Sequence, residues 1–190
     1  MLLRMNSSSR GSNESNVHRI ELNLRDVGQL FNTMDPSPFY EKDLDHDAEE
    51  FIVSWAREFP LDDPIVLVVH LDAQPQDQES QPMIERAIHH YFGYRVELNR
   101  LEFRRLMQDG RRSLVTGLVF LAVCLILSRL IEGTGGGAFS ALGRESLSIA
   151  GWVAMWRPME IYLYDWWPIR RREKILRKLS AMAVEIRTRK

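Results

Sequence analysis

Two apolar stretches lie close together in the second half of this 190-residue chain, and they limit the folds open to it more than any other feature. The first, residues 113–131 (SLVTGLVFLAVCLILSRLI), carries no charge until Arg129. A helix needs roughly 20 apolar residues to cross about 30 Å of hydrocarbon, and this stretch is long enough once Arg129 snorkels to the far boundary. The second, residues 147–167, is apolar in its first half and is then interrupted by Arg157, Pro158 and Glu160. A short loop with Gly133, Gly135, Gly136 and Gly137 connects them. The reading is a two-helix transmembrane hairpin.

Its flanks orient it. Arg104, Arg105, Arg111 and Arg112 precede the first stretch, and Arg170, Arg171, Arg172, Lys174, Arg177 and Lys178 follow the second. The connecting loop has Arg144, offset by Glu132 and Glu145. Basic residues stay on the cytoplasmic side, so both outer flanks are expected in the cytoplasm and the Gly-rich loop outside. Tyr164, Trp166 and Trp167, beside the basic flank, fit an interfacial aromatic belt.

Small residues at helical spacing suggest how the hairpin closes. Ser113, Gly117, Cys124 and Ser128 share one face of the first helix; Ser146, Ala150 and Ala154 repeat every four residues on the second. Such faces let backbones approach closely in lipid. Arg157, Glu160 and Tyr164 form an adjacent polar stripe, and Arg157 and Glu160, three apart, are placed to pair. Ionisable groups within a membrane segment are functional candidates, which opens a transport or pore-forming reading. Pro158 removes one helical hydrogen bond and predicts a kink.

The near-neutral total charge hides opposed blocks. Residues 17–74 hold thirteen acidic and four basic residues, net −9, whereas residues 168–190 hold nine basic and two acidic, net +7. Residues 168–190 read as a basic amphipathic cytoplasmic helix, with Ile169, Leu176, Leu179, Ala183 and Ile186 on one stripe. Anionic lipid head groups are its expected partner, the acidic domain a competing one, and nucleic acid is not expected.

Residues 17–110 read as a small cytoplasmic α/β domain of two or three strands and two or three helices, giving an α+β/α/β membrane protein overall. Residues 1–16, rich in Ser and Asn, are expected to be disordered. Residues 18–25 alternate Ile20, Leu22 and Leu24 with polar residues, as a half-buried strand does. One or two helical turns follow at 26–32, and two prolines in residues 35–39 make a turn. A helix opening at Asp47 buries Ala48, Phe51, Ile52, Trp55, Ala56 and Phe59, and Pro60 ends it. Residues 64–71 (PIVLVVHL) are apolar almost throughout, as in a strand covered on both faces. Such a strand wants two neighbours, which a second subunit or residues 94–98 would complete. A further helix, with Pro82 in its first turn, runs to Leu106.

Residues 43–50 hold an acidic cluster that fails the calcium-loop pattern, with Ala48 and Ser54 where Gly and Glu belong. Asp45 or Asp47 as a helix cap is the better reading, with a metal-dependent enzyme as the third and last option. Adjacent His89 and His90 point about 100° apart on a helix and cannot share one metal ion. Cys124 is the only cysteine, which excludes an internal disulfide. No catalytic, metal or cofactor set is assembled.

The string IAGWVAMWRPMEIYLYDWWPI at 149–169, with PSPF at 36–39 and DLDHDAEEFIVSWA at 43–56, resembles segments of an uncharacterised family of small bacterial two-pass inner-membrane proteins. That resemblance implies a bacterial inner-membrane setting and no activity. The expectation is a non-enzymatic membrane-tethered interaction, scaffold or sensor protein, working as a homo-oligomer or with another membrane protein.

Overall fold

The computed structural model describes residues 17–72, 80–133 and 137–188. The expected disordered N-terminus and the centre of the Gly-rich loop lie outside the described residues. The chain divides into two compact units, one of residues 1–95 with 174–190 and one of residues 96–173.

The first unit is built on a three-stranded parallel sheet in the order β1 (His18–Leu24), β2 (Ile65–Leu71), β3 (Ala183–Thr188). β1 and β2 are joined through α1 (His46–Glu58), as the alternation and the proline stop predict. Asp45 caps α1, its carboxylate accepting from the Asp47 N–H at 3.0 Å, which satisfies one of the orphan donors of the first turn. Turns of 3-10 helix at Val27–Leu30 and Phe39–Glu41 bridge to it. Asp35 orders the Pro-rich turn by accepting from the N–H groups of Ser37 and Asp43 at 2.9 and 2.8 Å. Those two bonds favour the charged form, so its carboxyl titrates below the usual carboxylate range.

The third strand corrects two expectations. Residues 94–98 do not form it and no second subunit is needed; they are helical, inside α2 (Ser80–Glu132, 53 residues). Ile84, Ala87, Ile88, Tyr91 and Phe92 recur at helical spacing on a buried stripe, which outweighs the strand preference of Tyr94 and Val96. The third strand comes from the C-terminal tail. The basic helix α5 (Trp166–Leu179) stops at Leu179, and β3 follows a tight turn. Ala183 and Ile186 therefore leave the expected helical stripe. Val184 is buried opposite Leu67, and Ile186 pairs with Val69.

The sheet has one apolar face. Ile20, Leu22, Leu67, Val69 and Val184 are buried on it, with Leu24, Ile65, Leu71 and Ile186 on the same side. The other face carries Arg19, Glu21 and Asn23 from β1 and Ala183, Glu185 and Arg187 from β3. Val68 is nonetheless fully buried there, between Glu21 and Glu185 on the neighbouring strands. The apolar run in β2 thus reflects a central strand, paired on both edges and buried at Val68 even on the face that carries the charged residues of its neighbours.

In the second unit, α2 is followed by α3 (Ala138–Ala154), α4 (Trp156–Glu160), a π-helical turn (Ile161–Asp165) and the start of α5. Ser140 opens α3, its hydroxyl accepting from the Gly137 N–H at 3.0 Å. The second apolar stretch is therefore not one regular helix. It breaks at Met155, because the Ala154 carbonyl has Pro158 as its i+4 neighbour and Pro158 has no N–H to donate.

The segments of this unit meet at glycines. A Cβ on Gly110 would sit 2.9 Å from Ile161 Cγ2. One on Gly117 would sit 3.0 Å from the Ala154 carbonyl oxygen, and one on Gly151 would sit 2.8 Å from Leu121 Cδ1. The pairs 110–161, 117–154 and 121–151 run in opposite directions along the chain. That is the signature of antiparallel packing.

Candidate functional site

Three groupings of polar side chains stand out, and each depends on local geometry that positions it. In the second unit, Arg157 Nη1 donates to Glu160 Oε2 at 3.0 Å and to Asp165 Oδ2 at 3.3 Å. The first pairing is the one expected from their spacing. Asp165 joins through the π turn, where one extra residue is accommodated. In an α-helix the residue beneath Arg157 two turns on is Tyr164, at i+7. The added residue brings Asp165 there instead, and Tyr164 turns outward, 70% exposed. The arginine is itself 60% exposed, so the cluster faces away from the α2 contact. The sequence missed Asp165 because nothing in it announces a π turn.

The packing face is close to the expected one on α2 and one residue out of step on α3. Gly117, Cys124 and Ser128 are buried and Ser113 half-buried. On α3 the buried position is Gly151, whereas Ser146 and Ala150 are exposed and Ala154 is half-buried. The stripe containing Gly151 leaves room for Leu121, whose Cδ1 would lie 2.8 Å from a Cβ added at that glycine.

The basic residues of α5 divide between the two units. In the second, the Arg170 guanidinium stacks on the Phe103 ring at 4.4 Å, Arg171 is exposed, and Arg172 is half-buried. Buried Glu173 accepts from Arg100 Nε at 3.2 Å, and Asn99 donates to the Ile169 carbonyl at 3.0 Å. In the first unit, Lys174 and Arg177 are exposed. Lys178 turns its ammonium onto the Pro60 carbonyl at 2.7 Å, and the burial of that ammonium lowers its pKa.

The first unit holds a buried network without any local sequence signal. Glu49 on α1 is 8% exposed, accepts from the Tyr91 hydroxyl at 2.6 Å and is ion-paired with Arg95. Burial, and then the bond to Glu49, push the Tyr91 phenol well above its ordinary range. Beside it lies a shallow cleft of about 270 Å³ lined by Asp35, Ser37, Glu41, Asp43, His90, Tyr91 and Tyr94. Within the acidic segment 43–50, Asp45 is thus committed to capping and Glu49 to this network. Among the described residues, no group of three or more His, Cys, Asp or Glu side chains is placed to hold a metal ion. His89 and His90 diverge as helical geometry requires: His89 bonds the Met182 carbonyl at 2.7 Å, and His90 is exposed at the cleft.

Comparison of the chain with protein-family models, with curated proteins and with solved structures gives no match. Among the described residues, one helix, within α2, is long and apolar enough to cross a membrane; its most apolar stretch has a mean hydropathy of 2.5 and is only 17% buried.

Proposed function

We propose that this chain is a two-pass membrane protein that tethers a small α/β interaction domain to the cytoplasmic face of the bacterial inner membrane. The observation that carries the reading is the surface of residues 115–130. Val115, Leu118, Val119, Phe120, Val123, Leu125, Ile126, Leu127 and Leu130 are all exposed, while the buried positions are the small residues Gly117, Cys124 and Ser128. In water that pattern is inverted. In lipid it is the expected one, with apolar side chains outward and small ones at the helix contact. Trp152, Val153 and Trp156 extend the exposed apolar surface onto the returning segment.

The sheet supports an even number of crossings. β1 and β2 precede the apolar segments and β3 follows them, yet all three are hydrogen-bonded neighbours. Residues on both sides of the membrane module therefore share one compartment. Zero crossings would place Arg129, Arg144 and Glu145 at a tip within hydrocarbon, which is costly; two crossings put them in water. The arginines at 104–112 and 170–172 favour the cytoplasm for the sheet and for both termini. The same arginines, with Lys174 and Arg177, are suited to anionic head groups. The charged sheet face with Arg19, Glu21 and Arg187 offers a surface for a protein partner or a second copy.

A reporter inserted after Gly137 tests the topology. The expected result is periplasmic activity there and cytoplasmic activity for fusions at either end; a cytoplasmic signal at Gly137 overturns the two-pass reading. Affinity purification from native membranes tests the tethering role, which predicts stoichiometric recovery of a partner that is lost when Arg19 and Arg187 are both replaced by Glu.

A further inference from the structure

The contacts between the antiparallel segments fix how thick an apolar layer the helical pair can match. On α2 the uncharged stretch between Arg112 and Arg129 is residues 113–128, which at 1.5 Å per residue is about 24 Å. On the returning segment the uncharged stretch between Glu145 and Arg157 is residues 146–156, about 16 Å. Gly117 lies against Ala154, and Gly110 against Ile161. Arg157 is therefore level with α2 residues near Val115, and Glu145 with residues near Ile126 and Leu127. The shorter stretch thus lies alongside the longer one and does not extend it at either end.

The charged ends are held in place. Arg157 is bonded to Glu160 and Asp165, which follow it in the chain and draw its guanidinium away from the apolar stretch. Glu145 is exposed and has a short side chain with little reach. The Met155 break and the π turn bring Arg157 and Asp165 together, so this boundary is set by backbone geometry.

We infer that the helical pair is built for a bilayer thinner than the ordinary 30 Å, and that it gathers short-chain lipids around α3 or thins the bilayer there. This rests on the membrane-spanning reading and adds to it a preferred lipid class. Hydrophobic mismatch costs a fraction of a kcal/mol per Å and sorts proteins among membranes of different thickness.

The test uses the full-length protein in vesicles of monounsaturated phosphatidylcholines with chains of 14 to 22 carbons, each mixed with a brominated lipid of 18-carbon chains. Quenching of Trp152 and Trp156, with Trp55, Trp166 and Trp167 replaced by Phe, reports which lipid contacts α3. The expected preference for 14-carbon over 18-carbon chains is about threefold or more. A preference that is flat, or that peaks at 18 carbons or longer, overturns the inference. The double variant Arg144→Leu/Glu145→Leu extends the uncharged stretch to residues 138–156, about 28 Å, and should move the optimum to longer chains. An unchanged optimum in a variant that still inserts also overturns it. Failure here with the Gly137 reporter still periplasmic refutes the thickness preference alone, whereas a cytoplasmic reporter refutes the spanning reading beneath it.

Discussion

Introducing Asp at position 183 or at position 184 separates two accounts of the C-terminal tail. As a helix, the tail aligns Ala183 with Leu176 and Leu179 on its apolar stripe and leaves Val184 on the polar side. As β3, it buries Val184 at 5% exposure opposite Leu67 and exposes Ala183 opposite Val66. The strand predicts that Val184→Asp is severe. Loss of the buried valine costs about 1.5–3 kcal/mol, and desolvation of a carboxyl without a partner adds at least about 1–3 kcal/mol. A total of about 2.5 kcal/mol or more detaches β3 and speeds exchange of the β2 amides roughly sixtyfold or more, at about 1.4 kcal/mol per decade. Ala183→Asp stays within about 0.5 kcal/mol, as at other exposed positions. The assay is hydrogen–deuterium exchange of the peptide covering residues 65–71 in detergent-solubilised full-length protein. Exchange in Ala183→Asp that matches or exceeds that of Val184→Asp refutes the parallel β2–β3 pairing.

Two further sets of variants test the buried network and the helix contact. Tyr91→Phe removes a hydrogen bond to a charged acceptor and should destabilise the first unit by about 1.5–3 kcal/mol, less in a Glu49→Gln background, measured by denaturant unfolding. The native state keeps the Tyr91 proton where the unfolded chain loses it, so stability is unaffected below pH 10 and falls as pH rises above the ordinary tyrosine value of 10.0; Tyr91→Phe removes that part of the slope, and ultraviolet titration of phenolate follows it. Among the helix glycines, Gly117→Ala and Gly151→Ala should destabilise the second unit by about 1–3 kcal/mol, since a Cβ there meets a backbone oxygen and a leucine side chain. Gly143→Ala, with nothing within 4 Å of its Cβ, should be neutral or stabilising by up to about 1 kcal/mol, and thermal unfolding in detergent ranks all three.

Much of the first unit is legible in its sequence because the signals there are local. β1 alternates, α1 has a cap and a proline stop, and β2 is an almost unbroken apolar run. β3 is obscured by competition. Residues 183–188 (AVEIRT) alternate as a strand should, but Leu176, Leu179, Ala183 and Ile186 also recur at helical spacing, and neither glycine nor proline marks the change at Ser180. The choice is made by β2, more than a hundred residues away, which needs a second neighbour. In the second unit, the Arg157–Glu160 pair follows from spacing alone. Asp165 depends on a π turn, and Glu49, Tyr91 and Arg95 meet only through tertiary packing between α1 and α2. The small-residue face of α3 was offset by one position because two stripes compete, and only the closeness of the helices selects the one with Gly151.

The position of β3 after the apolar segments also has a consequence for biosynthesis. β2 ends at Leu71 and β3 begins at Ala183, so about 110 residues must be translated between them. At 5–20 residues per second that interval is roughly 6–20 s. Throughout it, β2 presents an open edge of unpaired backbone groups, a template for pairing with another chain. The sheet closes only when residues 183–188 have left the ribosome, after the apolar segments have been made. A nascent chain that stalls or is cleaved before Met182 keeps that edge exposed, which marks it for aggregation or for recognition by chaperones and proteases. Completion of the sheet thus doubles as a check that both apolar segments have been synthesised.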